Sequence, residues 1–355
     1  MTSRRQRGIL AGAAGLGALS VAGVLAQRQH TKRVASDPER EVLENPPAGE
    51  PTSVRSADGT TLHVESFGPS DGPTVVLVHG WTELLTFWIY VIRELAAAGM
   101  RVVAYDLRGH GHSEPAAAGE YKLARFGEDL EAVLTACVPD GQRAVVAGHS
   151  LGAMSIAAWA EDHEVGRRVS ATALVNTGVG NLIAEQLLIP VPPIARAVSQ
   201  TVAVRGFLGA RAPLPHYSTP LSSAMIRYTA FSRQASPALV AFYERMLWTC
   251  PPRVRADIGI AMSEMDRFDA LTRLTVPTSV IAGADDRLTP PSHARRIAEM
   301  LPELRELVVL PDTAHMAPLE RPHEVSRAVL GLVSRELAPP VADGSLSAAA
   351  SDGRS

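Results

Sequence analysis

Through the middle of this chain, short β-branched runs alternate with longer stretches of helical spacing. Thr61 to Ser66 follows the Asp58-Gly59 turn, and Thr74 to Val78, Arg101 to Tyr105, Ala144 to Ala147, Ala171 to Val175, Thr278 to Ala282 and Glu306 to Leu310 are the other predicted strands. Several are apolar on both faces, as parallel strands covered by helices must be. Between them, Ile92 to Ala98, Phe126 to Val138, Met154 to Asp162, Ala294 to Leu301 and Glu324 to Leu337 repeat apolar side chains at the helical period. The alternation predicts an α/β fold with a doubly wound, mostly parallel sheet. From Gly180 to about Asp269 it stops, and helix-prone segments separated by prolines take over. This stretch reads as an inserted helical cap over the carboxyl ends of the strands, where open α/β sheets bind ligands.

The two ends of the chain follow other patterns. Within residues 1–34, Arg4, Arg5 and Arg7 precede an uncharged run from Gly8 to Ala26, and Arg28, Lys32 and Arg33 follow it. A run of that length is just enough to cross a hydrocarbon core of about 30 Å. An uncleaved anchor and a cleaved signal peptide both fit, so the expectation is a membrane-anchored or secreted protein, with the side of the membrane left open. Residues 35–51 are charged and proline-rich and read as a linker. Residues 52–337 form the expected folded domain, and 338–355, rich in Ala, Ser, Gly and Asp, are expected to be a disordered tail.

Composition narrows the function classes. With 46% hydrophobic residues, 20% charged residues and a net charge of −3, the chain carries no field that would attract nucleic acid. Its two cysteines, Cys137 and Cys250, lack metal-ligand spacing and leave a single bridge as an open alternative. His110 and His112 share a glycine loop without a paired acid ligand, which is weak ground for a metal site. Neither metal nor cofactor is expected.

The strongest local signal is Val145-Val146-Ala147-Gly148-His149-Ser150-Leu151-Gly152, an apolar strand running into Gly-x-Ser-x-Gly and then into a helix. So tight a turn forces the serine into a strained conformation that exposes its hydroxyl. The new helix turns the Leu151 N–H toward any oxyanion forming there. Val76-Leu77-Val78-His79-Gly80-Trp81 ends a second apolar strand, and Asp106-Leu107-Arg108-Gly109-His110-Gly111-His112-Ser113 follows a third. A serine hydroxyl needs a base to accept its proton, and a carboxylate to orient that base. Among the histidines, His315 stands just past the last apolar strand, in Pro311-Asp312-Thr313-Ala314-His315-Met316. Val280-Ile281-Ala282-Gly283-Ala284-Asp285-Asp286 places two carboxylates just past another strand.

Together these motifs resemble the α/β-hydrolase family over roughly residues 52 to 337. The resemblance implies that Trp81 supplies the second oxyanion-hole N–H and that the Asp106–Ser113 loop is structural. It also selects Asp286 rather than Asp285 as the acid and His315 as the base, leaving the position after the Ala171 to Val175 strand, Asn176, without an acid. The expected activity is serine hydrolysis of a carboxylic ester through an acyl-enzyme. The substrate would be a small molecule, and the aromatic and methionine content of the cap favours an apolar or lipid-like one. A serine at the elbow argues against relatives that use aspartate there. A cofactor-free haloperoxidase, a C–C hydrolase, a thioesterase and an inactive binding protein stay as alternatives.

Overall fold

The computed structural model describes residues 22–117, 120–182, 209–211 and 217–337. Eight strands form one sheet: β1 (Glu50–Arg55), β2 (Thr61–Phe67), β3 (Thr74–Val78), β4 (Arg101–Tyr105), β5 (Ala144–His149), β6 (Val169–Val175), β7 (Thr278–Gly283) and β8 (Leu304–Leu310). Their order is β1-β2-β4-β3-β5-β6-β7-β8. β1 and β2 pair antiparallel, as do β2 and β4, while the six strands from β4 to β8 run parallel. The doubly wound, mostly parallel sheet expected from the alternation is therefore present. β1 was not anticipated, because its residues Glu-Pro-Thr-Ser-Val-Arg offer only one buried apolar side chain, Val54. It is an edge strand, held by its ladder to β2.

Period-two alternation sends the two sides of each central strand to different helices. Val76, Val78, Val103, Tyr105 and Val146 pack with helices α4 (Leu123–Cys137) and α5 (Leu151–Asp162). Val75, Leu77, Val102, Ala104 and Val145 face the opposite side, with α3 (Ile89–Ala97) and the last helix, Pro322–Glu336. Between β6 and β7 the described chain is helical: α6 (Pro220–Ala230), α7 (Pro237–Thr249), α8 (Pro252–Ser263) and α9 (Phe268–Leu271). Each of α6, α7 and α8 carries proline in its first turn, where a missing N–H costs nothing. Pro220, Pro237 and Pro252, among the prolines that broke the sequence pattern, thus mark helix starts.

Within the 35–51 stretch, α2 (Arg40–Glu44) buries Leu43. Just before it, Asp37 accepts the Ala238 N–H, and Glu39 accepts the Ser236 hydroxyl at the start of α7. Ahead of that, residues 22–35 form helix α1. The expectation of a membrane-anchored or secreted protein meets a correction in the described residues: no helix among them is long and apolar enough to cross a membrane. Most of the Gly8 to Ala26 run lies outside the described residues. The described part continues into Gln27, Arg28, His30, Lys32 and Arg33, and it is held by polar contacts that hydrocarbon could not supply. Gln27 donates to the Ser218 carbonyl at 2.8 Å, and the His30 ring meets the Ser218 hydroxyl at 2.7 Å. The tail from 338 onward also lies outside the described residues. Cys137 and Cys250 are free, buried thiols, which closes the question of a bridge between them.

Candidate active site

The chain winds from β3 to β4 on one side and then crosses to β5 on the other, so the crevice between β3 and β5 opens at their carboxyl ends. Val78 and Gly148 are register partners, and the two strands leave the sheet side by side, one into His79-Gly80-Trp81 and the other into His149-Ser150-Leu151. Glycine is required where they meet. A Cβ on Gly152 would lie 2.2 Å from the Val78 carbonyl oxygen, and one on Gly148 would lie 2.6 Å from the Ala153 nitrogen. Ser150 itself sits at φ 50°, a conformation that L residues adopt only under constraint. Its amide donates to the Val175 carbonyl at 2.9 Å, and its carbonyl accepts from the Thr177 hydroxyl at 2.9 Å, which pins the turn to β6.

β6 and β7 pair through Val175 and Ile281, so Asn176 and Asp286 emerge together. Asp286 is buried, whereas Asp285 is exposed. One oxygen of Asp286 accepts the N–H groups of Leu288 and Thr289, each at 2.9 Å. The other accepts the Thr289 hydroxyl at 2.8 Å, the Asn176 amide at 3.0 Å and His315 Nδ1 at 2.8 Å. The loop after β8 crosses the end of β7 so closely that a Cβ on Gly283 would lie 2.2 Å from the Ala314 carbonyl oxygen. This crossing delivers His315. Its N–H donates to Ala230 O at 3.0 Å, and Glu320 accepts the Ala314 N–H at 3.0 Å.

Electrostatics follow from this geometry. Burial works against charge on both members of the His315–Asp286 pair, but each stabilises the other. The imidazole is accordingly held above its ordinary range and the carboxyl below its own. Since Nδ1 is committed to Asp286, Nε2 is the nitrogen left to act as base. No hydrogen bond joins it to the Ser150 hydroxyl among the described residues. Nor is the amide N–H of Trp81 or of Leu151 taken by another described group.

Sequence reasoning missed several participants. Asn176, which stands where an alternative acid would be, donates to both Asp286 and the Ala314 carbonyl. Glu83 and His149 are buried beside the triad candidates. The His149 ring lies 5.0 Å from that of His315. His293 is buried against Gly178. Composition gave no signal for these, since a lone polar residue between strands reads as solvated.

The Asp106–Ser113 loop is structural in its contacts. Asp106 accepts the Leu85 and His112 N–H groups, and Arg108 is buried against Asp129 and Asp58. Burial pushes the His110 imidazole down to about 4, and the neutral ring accepts the Thr82 N–H. His63, Asp106 and His112 bring one donor atom each within 4.8 Å of one another. In that group the His112 side chain is 81% exposed. The indole of Trp81 is tethered to α8, donating to the Arg255 carbonyl at 3.1 Å. Of the aromatic and methionine side chains of the insertion, Phe231, Phe242, Tyr243, Met246, Met262 and Met265 are core, whereas Tyr228 is exposed and Phe207 lies outside the described residues.

The family model for the alpha/beta hydrolase fold matches residues 73–322. This chain is an α/β-hydrolase. Among relatives of this α/β-hydrolase is a RutD protein of Variovorax paradoxus (strain S110), named for carbamate hydrolysis; it is 30% identical over 79% of this chain and 98% of its own length. A non-heme chloroperoxidase of Streptomyces lividans is 27% identical over 70% of this chain and 87% of its own. A solved esterase from Thermogutta terrifontis superposes with a TM-score of 0.65 at 23% identity, over 81% of this chain and all of that one.

Proposed function

We propose that this α/β-hydrolase cleaves carboxylic esters of small apolar molecules through an acyl-Ser150 intermediate. The observation that carries the reading is the His315 Nδ1 to Asp286 hydrogen bond of 2.8 Å beside a serine held at φ 50°. In this mechanism His315 Nε2 takes the Ser150 proton as Oγ attacks the carbonyl carbon. Asp286 fixes the tautomer and stabilises the imidazolium. The Trp81 and Leu151 amides face the oxyanion, each worth about 3 kcal/mol of transition-state stabilisation. His315 then protonates the departing alcohol, and water, deprotonated by the same nitrogen, releases the acid. The chemistry calls for no metal or cofactor.

Labelling with a fluorophosphonate tests the activated serine, and Ser150→Ala should lose both the label and ester turnover while folding normally. Retained turnover in that variant would exclude the assignment. A chain-length series of p-nitrophenyl esters, with a carbamate among them, then sorts the acyl group. The chloroperoxidase relative favours one second reading, in which hydrogen peroxide rather than water attacks the acyl-enzyme and gives a peracid. Peroxide-dependent halide oxidation in acetate buffer separates the two.

A further inference from the structure

Three segments that leave different strands must be held together at this site: the Gly80-Trp81 turn after β3, the elbow after β5 and the His315 loop after β8. One buried pair of side chains touches all three. Glu83 and His149 are both inaccessible to solvent, with His149 Nδ1 3.0 Å from one Glu83 oxygen and 3.1 Å from the other. Glu83 Oε2 also accepts the Gly80 N–H. The other nitrogen of the His149 ring lies 2.8 Å from the His315 carbonyl oxygen. A carbonyl only accepts, so Nε2 carries a proton and donates it there. The Nδ1–Glu83 hydrogen bond holds whichever partner owns the shared proton.

The Trp81 amide is oriented from both sides of the Gly80 residue, whose N–H the Glu83 side chain holds and whose carbonyl is held by His79 and the Glu83 backbone. The Gly80 carbonyl accepts from His79 Nδ1 at 2.8 Å and from the Glu83 N–H at 3.3 Å. In a trans peptide the C=O and the following N–H point in opposite directions, so anchoring this carbonyl aims the Trp81 N–H away from His79. Space enforces the arrangement too. A Cβ on Gly80 would lie 2.8 Å from Glu83 Oε2 and 3.0 Å from His149 Nδ1, and the Phe87 ring covers His149 at 4.6 Å between centroids. Asp286 orients the His315 side chain, but among the described residues only His149 holds its carbonyl.

We propose that Glu83 and His149 form one positioning unit, fixing the Trp81 amide and the His315 backbone relative to each other across Ser150. Neither touches the substrate. The proposal rests on the serine-hydrolase reading and extends it.

The test compares Glu83→Ala, Glu83→Gln, His149→Ala and His149→Gln in the full chain. Three readouts are needed: kcat and KM for p-nitrophenyl acetate, the downfield proton resonance of His315 Nδ1–H, and fluorophosphonate labelling of the wild type. Displacing a reacting group by an ångström costs about 100-fold. Glu83→Ala should therefore lower kcat by about that factor, with KM within about threefold, and should broaden or lose the resonance. Gln at 83 keeps an acceptor for Gly80 N–H and a donor for His149, and should hold kcat within about tenfold of wild type. A Glu83→Ala enzyme with wild-type kcat, or a Glu83→Gln enzyme as impaired as Ala, overturns the proposal. Should Glu83→Ala fail to fold, the His149 pair decides: Gln can still donate to the His315 carbonyl and should outpace Ala, and equal rates overturn the idea. If the wild type takes no fluorophosphonate, the ester reading fails by itself. The Glu83→Ala resonance then decides, its loss supporting the unit and its persistence overturning it.

Discussion

Backbone strain is present at Ser150, the proposed nucleophile. A non-glycine residue at φ 50° is strained by an amount on the order of 1–2 kcal/mol. Glycine relieves that strain but gives back part of the gain as unfolded-state entropy. Ser150→Gly is therefore expected to raise unfolding stability by about 0.5–1 kcal/mol while removing turnover, as chemical denaturation and an ester assay would show. The His315–Asp286 pair makes a second residue-scale prediction. His315 titrates above its ordinary range, so its share of stability is complete below about 6.5 and fades as pH rises through the raised value. Asp286 titrates below its ordinary range, so its share is complete above about 3.9 and fades as pH falls through the depressed value. The pair thus stabilises most between these limits, and Asp286→Asn should lower stability there and flatten the curve on either side. In the proposed mechanism activity needs neutral His315, so the acid limb of kcat/KM should lie above the ordinary imidazole range. A limb below it would contradict the assignment of His315 as base.

Elements meet here through missing side chains. Gly127 lies inside α4, and a Cβ there would come within 2.9 Å of the Trp159 nitrogen on α5. The two helices approach backbone to backbone, and α5 begins at Leu151, directly after Ser150. Gly127→Leu should destabilise by about 2 kcal/mol, because the overpacking penalty exceeds the gain in helix propensity. A thermal or urea midpoint that rises instead would show that α4 can shift without cost. Elements like these were readable from period and glycine placement. The edge strand β1 was not, because a single buried side chain leaves no periodic trace. Nor was α1, whose docking depends on Ser218, far away in sequence.

At the scale of the whole molecule, the buried guanidinium of Arg108 ties the loop after β4 to Asp129 on α4 and to Asp58 in the β1–β2 turn. Asp129→Ala leaves that charge partly uncompensated and should cost about 3–5 kcal/mol in denaturant unfolding. A loss under about 1 kcal/mol would mean that Asp58 and water suffice. The sequence by itself determined the α/β layering and the strand-turn-helix around Ser150, because local hydrophobic period and glycine placement fix these without distant partners, and its resemblance to the family proposed the acid and the histidine. It also supported a membrane segment, which no described helix provides. The resemblance already preferred Asp286 to Asp285; the tertiary structure added its burial and engaged Asn176. Only it set Glu83 and His149 between three loops, because these contacts join residues 29 to 166 positions apart. A polar side chain carries no mark in sequence of the distant group that will satisfy it.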